Sequence, residues 1–296
     1  MITPQAVSVS LLAWGLPHVP QEPSPKAVPV EVCSPLGYAT CIEQLVSGPL
    51  LASFSTGRIT VLDPSTGATV VEYETLEDRV PSFWLTPDQR HIAVGVKGHQ
   101  LEIRPFDAAE LVTGAKPTPE KPGVSIETET KQADREKVWT HAAWTPSGRY
   151  FITWQRDWYH GPTDVPVRVW GLDGALAWEG PLASDVAIHP KLDQLAIVEA
   201  DLVTIGWHGT GFRKVELPGA YEAIDYSPDG SQLAVGGTSL LIQVEGEARP
   251  FLGHKERRAT ITLLNAESGL VLSQAQPYTS MFPQEWLQRL SWSPGG

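Results

Sequence analysis

The stretch Tyr226-Ser227-Pro228-Asp229-Gly230 decides the fold, because its pattern recurs along the chain. An apolar residue is followed by Ser, Thr or His, then by Pro and by residues that favour a turn. Proline presets the backbone φ angle that the turn needs, and Asp-Gly or Ser-Gly closes it. The same pattern is found in Leu85-Thr86-Pro87-Asp88, Trp144-Thr145-Pro146-Ser147, Ile188-His189-Pro190 and Trp292-Ser293-Pro294-Gly295.

A short apolar stretch follows each of the first four turns and predicts a buried strand. A small or β-branched residue lies in each stretch, six positions after the Pro: Ala93, Ile152, Ala196 and Ala234. A third strand, another turn and a fourth strand follow, as in 58–63, Pro64-Ser65-Thr66-Gly67 and 68–73. The unit is therefore a four-stranded antiparallel meander, which buries both faces only by stacking against other units. Radial stacking of such sheets around an axis produces a β-propeller.

The repeats predict an all-β chain, a β-propeller with five recognisable blades and a partial sixth. The blades lie near residues 38–75, 80–112, 138–182, 183–218 and 220–275, and the partial one covers 287–296. The Pro-rich segment 1–37 precedes them, and its alternating stretch at 6–14 suits a closing strand. Because an unpaired strand edge promotes association, we expect missing sequence or another chain to complete the propeller.

Three features of these repeats resemble the WD-repeat family in degenerate form. They are the Ser-Pro-Asp-Gly turn, the Leu233-Ala234 pair on the next strand, and a dipeptide that precedes a Thr-Gly-type turn. The family's Gly-His pair occurs only as Gly253-His254. The resemblance spans roughly residues 38 to 296 and implies a β-propeller fold. The positions of the family's Trp-Asp dipeptide hold Leu62-Asp63, Phe106-Asp107, Trp170-Gly171, Trp207-His208 and Leu264-Asn265.

Composition excludes several classes of protein. The 296 residues carry a net charge of −12, with 42% hydrophobic and 19% charged residues. This hydrophobic fraction excludes a mostly disordered chain, and no apolar run is long enough for a transmembrane helix, so we expect no membrane association. Nucleic-acid binding needs a basic face, so we expect no nucleic-acid partner. Cys33 and Cys41 are expected to be reduced, and no basic secretory signal precedes the first apolar stretch, which predicts a cytoplasmic protein.

Motifs for catalysis, metals and cofactors are not found in the sequence. It lacks His-Glu-x-x-His, Gly-x-Ser-x-Gly and Gly-x-x-x-x-Gly-Lys patterns. No histidine and cysteine are spaced as zinc ligands are, and no acidic run matches a calcium loop. We therefore expect no catalytic residue, no metal and no cofactor. His189 replaces the Ser or Thr of the other turns, which predicts a structural role.

Three insertions interrupt the regular meander. The Pro-rich and charged stretch 108–137 predicts a solvated connection. The insertions at 155–166 and 238–258 interrupt the same loop of two blades, so they are expected to lie on one face. Aromatic residues next to Arg are typical of interface hot spots, although the first insertion also suits a loop packed on its own blade through Trp158. The candidate partner-binding residues are Arg156, Trp158, Tyr159, His160, His254, Lys255, Arg257 and Arg258.

Two functional hypotheses follow. The first is a non-enzymatic protein-interaction scaffold that binds a protein partner through this decorated face, with the basic cluster meeting an acidic partner or pairing with Glu245, Glu247 and Glu256. The second is a propeller enzyme or small-ligand binder with its site at the central axis. Most tryptophans occupy repeated positions, as Trp144 and Trp292 do, which predicts packing between blades rather than a ligand site.

Overall fold

The computed structural model describes residues 39–54, 57–75, 82–96, 100–107, 123–128, 138–157, 161–162, 165–240, 257–275 and 290–292. The chain divides into two compact units, Met1–Val32 and Cys33–Gly296, and every described residue belongs to the second. These residues form strands and turns, with no helix among them, so the predicted all-β class is confirmed. The segment 1–37, with its predicted closing strand, lies outside the described residues.

Within the described residues, nineteen strands form four antiparallel sheets. The first sheet contains β1 (Ala39–Gln44), β2 (Leu50–Phe54), β3 (Arg58–Leu62) and β4 (Thr69–Thr75), and the second β5 (Phe83–Leu85), β6 (His91–Val96), β7 (Gln100–Pro105) and β8 (Val124–Glu127). The third contains β9 (Val138–Trp144), β10 (Tyr150–Asp157), β11 (Gly161–Pro162), β12 (Arg168–Gly171) and β13 (Leu176–Glu179). The fourth contains β14 (Asp185–Ile188), β15 (Leu195–Trp207), β16 (Gly211–Tyr226), β17 (Gln232–Leu240), β18 (Arg257–Asn265) and β19 (Val271–Ala275).

The fourth and fifth predicted repeats share one six-stranded sheet. Two long strands join them, because each pairs with different neighbours along its length. The first half of β15 pairs with β14, and its second half pairs with β16. The second half of β16 then pairs with β17. Gly219 lies between the two halves of β16 at a positive φ of 158°, which residues other than glycine rarely adopt. The predicted boundary between the two repeats, at residues 218–220, therefore does not separate them into two sheets.

The predicted buried strands are confirmed, because Ala93, Ile152, Ala196 and Ala234 are all buried. The core lies mainly between consecutive sheets, since each sheet packs its apolar side chains against those of the next. Three apolar clusters show this packing. Leu51 and Ile59 of the first sheet cluster with Phe83 of the second, Leu101 and Ile126 of the second with Phe151 of the third, and Val169 of the third with Leu195 and Ile197 of the fourth. Stacking in chain order is what the meander unit requires to bury both of its faces.

The insertion 108–137 contains a strand that its charged composition did not predict. The four residues of β8 pair with β7, and Ile126 of β8 lies opposite Leu101 of β7. Ile126 is buried in the core between the second and third sheets. The alternation Val124-Ser125-Ile126-Glu127 carries the signal. Because this alternation is only four residues long and follows a Pro-rich run, it is easily taken for part of a solvated connection.

Hydrogen bonds between side chains and backbone join the first strands of successive repeats. Two of them link neighbouring sheets: Cys41 Sγ donates to Phe83 O at 3.7 Å, and Trp144 Nε1 donates to Trp84 O at 2.9 Å. The third lies within the fourth sheet, where Ile224 N of β16 donates to Asp185 Oδ2 of β14 at 3.2 Å. Such bonds require the joined strands to lie close to each other.

The outer strands of three sheets carry a β-bulge at the same place. In each of these strands one residue has no partner in the ladder, because the residues on either side of it pair with consecutive residues of the preceding strand. The unpaired residues are Val70, Ala177 and Leu272. All three bulged residues are exposed. A bulge disrupts the ladder locally and bends the strand.

Candidate functional site

The insertion into the third sheet projects beyond it as a β-ribbon. Only the first half of β10, Tyr150 to Thr153, pairs with β12. The second half continues its pairing with β9 as far as Asp157, and Arg156 and Asp157 also pair with β11. We call the paired stretches 154–157 and 161–162 the first ribbon. Its backbone therefore continues the sheet instead of leaving it as an irregular loop.

The insertion into the fourth sheet has the same construction. The pairing of β17 with β18 extends from Gln232 to Leu240, whereas β19 pairs with β18 only from Ile261 onwards. Residues Arg257 and Arg258 thus lie on a two-stranded extension, opposite Leu240 and Ser239. We call the two paired stretches, 238–240 and 257–260, the second ribbon. Both ribbons follow the second strand of their repeat, as the sequence predicts.

The structure places some of the candidate partner-binding residues. Arg156 lies on the first ribbon, and Arg257 and Arg258 lie on the second. The remaining candidates, Trp158, Tyr159, His160, His254 and Lys255, lie outside the described residues.

A packed base supports the first ribbon. Trp154 is only 8% exposed, and its indole lies parallel to the His141 imidazole at 5.5 Å between ring centroids. The neighbouring Gln155 is buried, and its Nε2 donates a hydrogen bond to the Thr128 carbonyl at 3.4 Å. Trp154 Nε1 is buried and has no hydrogen-bond partner among the described residues. The base of the ribbon is therefore held by close contacts with the second sheet as well as the third.

A second continuous surface lies at the opposite end of the same strands. The repeated turns contact one another in chain order, and we call them the turn row: residues 45–48, 86–89, 145–148, 189–193 and 227–230. The Gln89 side chain accepts from Val46 N at 2.7 Å and donates to the Gln44 carbonyl at 2.9 Å. Thr86 lies 3.6 Å from the position that a Cβ would take on Gly148. The sequence motif predicts four of these turns, but it predicts neither the turn at 45–48 nor the contacts between turns.

The same side-chain chemistry closes several of these turns. The Thr86 hydroxyl donates to Asp88 at 2.7 Å and accepts from the backbone of His91 at 3.0 Å. In the fifth turn, the Ser227 hydroxyl donates to Asp229 at 2.6 Å and accepts from Gln232 N at 2.9 Å. Hydrogen bonds from Ser227 and Ser231 lower the pKa of Asp229 to about 2. The Asp229 carboxylate is therefore ionised at neutral pH and fixed in position.

The tryptophans divide between core and surface. Trp144 and Trp170 are buried, and the Trp170 indole donates to the Thr153 hydroxyl at 2.9 Å. Trp207 occupies the position in the fourth sheet that corresponds to Trp170, yet it is half-buried and lies edge-on to Tyr150 at 5.1 Å. Packing thus accounts for the repeated Trp positions only in part, because a repeated position does not fix the depth of burial.

The first strand of the first sheet carries two titratable groups with shifted pKa values. Burial raises the pKa of the Glu43 carboxyl, although a hydrogen bond from the Leu85 backbone opposes this effect. Burial also raises the pKa of the Cys41 thiol, so the thiol is protonated at neutral pH. Within the described ranges, no three side chains of His, Cys, Asp or Glu are grouped so that they could hold a metal ion. Nor does this part of the chain contain a helix long and apolar enough to cross a bilayer.

No model of a protein family and no curated protein sequence matches the chain.

Proposed function

We propose that the chain is a non-enzymatic, cytoplasmic interaction module that binds a protein partner through its two ribbons. The observation that carries this proposal is the extension of two ladders beyond their sheets at the same connection. A two-stranded ribbon offers backbone groups at its outer edge, together with side chains on both faces. Arg156, Arg257 and Arg258 give these extensions a basic character in a chain of net charge −12, which favours an acidic partner surface.

We further propose that the sheets are blades of a WD-like β-propeller. Sheets that stack in chain order, with their first strands side by side, suit a radial arrangement about an axis. The bond from Trp170 to the Thr153 hydroxyl favours the family resemblance, because WD repeats have a hydrogen-bonded network of Asp, His, Ser and Trp. Radial packing places equivalent connections of different blades on one face, so both ribbons would serve the same partner.

A repeated tryptophan bond favours a sixth unit in this propeller. Trp144 precedes Thr145-Pro146, and its indole donates to Trp84 O, two residues before Thr86. Trp292 precedes Ser293-Pro294, and its indole donates at 3.3 Å to Asp225 O, two residues before Ser227. The two bonds therefore join equivalent positions of successive repeats. This equivalence supports the interpretation of 290–292 as the first strand of a further blade.

The test is native mass spectrometry of the tagged chain, gently purified from its own cells. The triple variant Arg156→Glu, Arg257→Glu, Arg258→Glu reverses the charge of both ribbons, and we expect it to lose a stoichiometric protein partner. The matched control Arg149→Glu, Lys191→Glu changes exposed charges at the opposite end of the strands and should retain that partner. Both variants must show the circular dichroism spectrum of the wild type.

Two results would contradict the proposal. One is a partner retained by the ribbon variant but lost by the control, which would move the interface to the turn row. The other is a wild-type chain that carries a small molecule at unit stoichiometry and no protein, which would favour a ligand site near the first strands, where Glu43 has a raised pKa.

A further inference from the structure

His189 occupies the position in the fourth turn that Thr or Ser occupies in the second, third and fifth turns. Its Nδ1 accepts two backbone hydrogen bonds, from Lys191 N and Leu192 N, each at 3.0 Å. In the fifth turn the Ser227 hydroxyl is likewise an acceptor for a backbone N–H, that of Gln232. A hydroxyl accepts these bonds at every pH at which proteins fold, whereas an imidazole nitrogen loses its lone pair when it takes up a proton. The fourth turn is therefore held by a titratable acceptor.

The imidazole is enclosed by the fifth repeat. It is 7% exposed and lies edge-on to the Tyr226 ring, with 5.0 Å between centroids. Its Nε2 lies against Gly230, where an added Cβ would collide with it, and the Gly230 backbone hydrogen-bonds the ring. Because Nδ1 is an acceptor, the neutral ring carries its hydrogen on Nε2. Both nitrogens are thus committed to backbone groups, one in each of two neighbouring turns.

The fourth turn also holds the third. The Asp193 carboxylate accepts from the Ser147 hydroxyl at 2.8 Å and from Ser147 N at 3.3 Å. A turn that opens at Lys191 and Leu192 frees the short segment that carries Asp193. The third, fourth and fifth turns are therefore coupled through the hydrogen bonds of His189 and Asp193.

We propose that His189 is an acid-sensitive switch in the turn row: a proton bound at Nδ1 breaks the bonds from Lys191 and Leu192 and opens the fourth turn. The proton comes from solvent, and no covalent bond changes. The charged groups that face the ring are Lys191 in its own turn, which opposes protonation, and Asp229 in the fifth turn, which favours it. The Tyr226 hydroxyl is neutral, since burial raises its pKa far above the working range.

The direction of the pH dependence follows from the surroundings. Burial lowers the pKa of His189 below its ordinary value of 6.5. The unfolded chain then binds the proton more tightly than the folded chain. The stability from the two Nδ1 bonds is complete above pH 6.5 and is lost as the pH falls through the lower pKa of the folded state.

The test is hydrogen exchange of the Lys191 and Leu192 amides as a function of pH, measured by NMR on the full chain. We expect their protection factors to fall by up to about tenfold per pH unit between pH 6.5 and the lower folded-state pKa, because opening takes up one proton in that range, and to level off below it. In His189→Ser, which copies the fifth turn, protection at these amides should no longer depend on pH. The control His91→Gln replaces a half-exposed histidine elsewhere and should retain the wild-type dependence.

Two results would overturn the proposal. One is protection at Lys191 and Leu192 that stays constant with pH in the wild type while the imidazole titrates. The other is a ¹⁵N spectrum that shows Nδ1 protonated at neutral pH, since a protonated nitrogen accepts no hydrogen bond. If His189→Ser does not fold, this spectrum of the wild type alone still decides the question.

Discussion

At the scale of single residues, buried polar pairs specify how the strands register. Trp170 and Thr153 are both buried and lie on adjacent strands, so their 2.9 Å hydrogen bond is formed away from water. Leaving one partner of such a pair unsatisfied costs more than the bond itself is worth. The pair therefore favours one alignment of β10 with β12 over a register shifted by one residue, in which Thr153 would face the opposite side.

A double-mutant cycle measures this pair. We expect Trp170→Phe and Thr153→Val each to lower the free energy of unfolding by about 1–3 kcal/mol, because each leaves a buried polar group without its partner. The double variant should lose about 1 kcal/mol less than the sum, a coupling of the size found between groups in direct contact. The measurement is urea denaturation followed by circular dichroism. Strict additivity would show that the two side chains do not interact in solution.

Residue-scale prediction from the sequence was most reliable where one side chain determines the local geometry. Pro, Asp and Gly in the repeated turns predict the turns, and the small residue six positions later predicts a buried strand. His189 was predicted to be structural because it replaces Ser or Thr, and its bonds to Lys191 and Leu192 agree with that role. The sequence does not predict the burial of Trp207, since its depth depends on contact with Tyr150 of the third sheet.

At the scale of strands, the close approach of two backbones explains why position 237 is a glycine. A Cβ on Gly237 of β17 would lie 2.2 Å from the Ala220 carbonyl oxygen and 2.4 Å from the Tyr221 Cα. Both atoms belong to the backbone of β16, so they move only if the strands separate. Gly237 therefore allows β16 and β17 to approach at the base of the second ribbon.

A pair of glycine substitutions tests this approach. Gly237→Ala should lower the free energy of unfolding by about 1–3 kcal/mol, because the added methyl group forces two strands apart. Gly209→Ala is the control, since its nearest neighbour, Trp207, would lie 3.7 Å from the new Cβ. Thermal unfolding of the two variants should differ by several degrees. Equal melting temperatures would show that β16 and β17 do not approach so closely in solution.

At the scale of strands, the sequence does not predict the backbone path of the two insertions. Both were expected as loops that decorate a face, and in the structure their backbones continue the ladders. Pairing of 154–157 and of 257–260 depends on partner strands distant in sequence, which local periodicity does not encode. The location of each insertion within its repeat, by contrast, follows from counting strands between turns.

At the scale of the whole molecule, the cores between sheets make each sheet depend on its neighbours. Phe151 is fully buried between the second and third sheets and contacts both Trp144, at 4.7 Å between centroids, and Trp84, at 5.8 Å. Removing its ring leaves a cavity that both sheets share. Since neither sheet buries this face alone, the loss should reach beyond the third sheet.

Phe151→Ala should therefore lower the free energy of unfolding by about 3–5 kcal/mol while the described sheets still unfold together. Tryptophan fluorescence and far-ultraviolet circular dichroism should report the same urea midpoint. Leu176→Ala, at an exposed position of β13, should change the free energy of unfolding by no more than about 0.5 kcal/mol. Midpoints that separate in Phe151→Ala would show that the sheets unfold independently.

The bulges of β4, β13 and β19 have a consequence for how this protein coexists with others in a crowded cell. A straight outer strand is a template on which a foreign strand can add, and repeated addition leads to aggregates. Val70, Ala177 and Leu272 each break that template at the same step of the ladder. The flanks of the sheets are thereby poorly suited to recruit β-structure from other proteins.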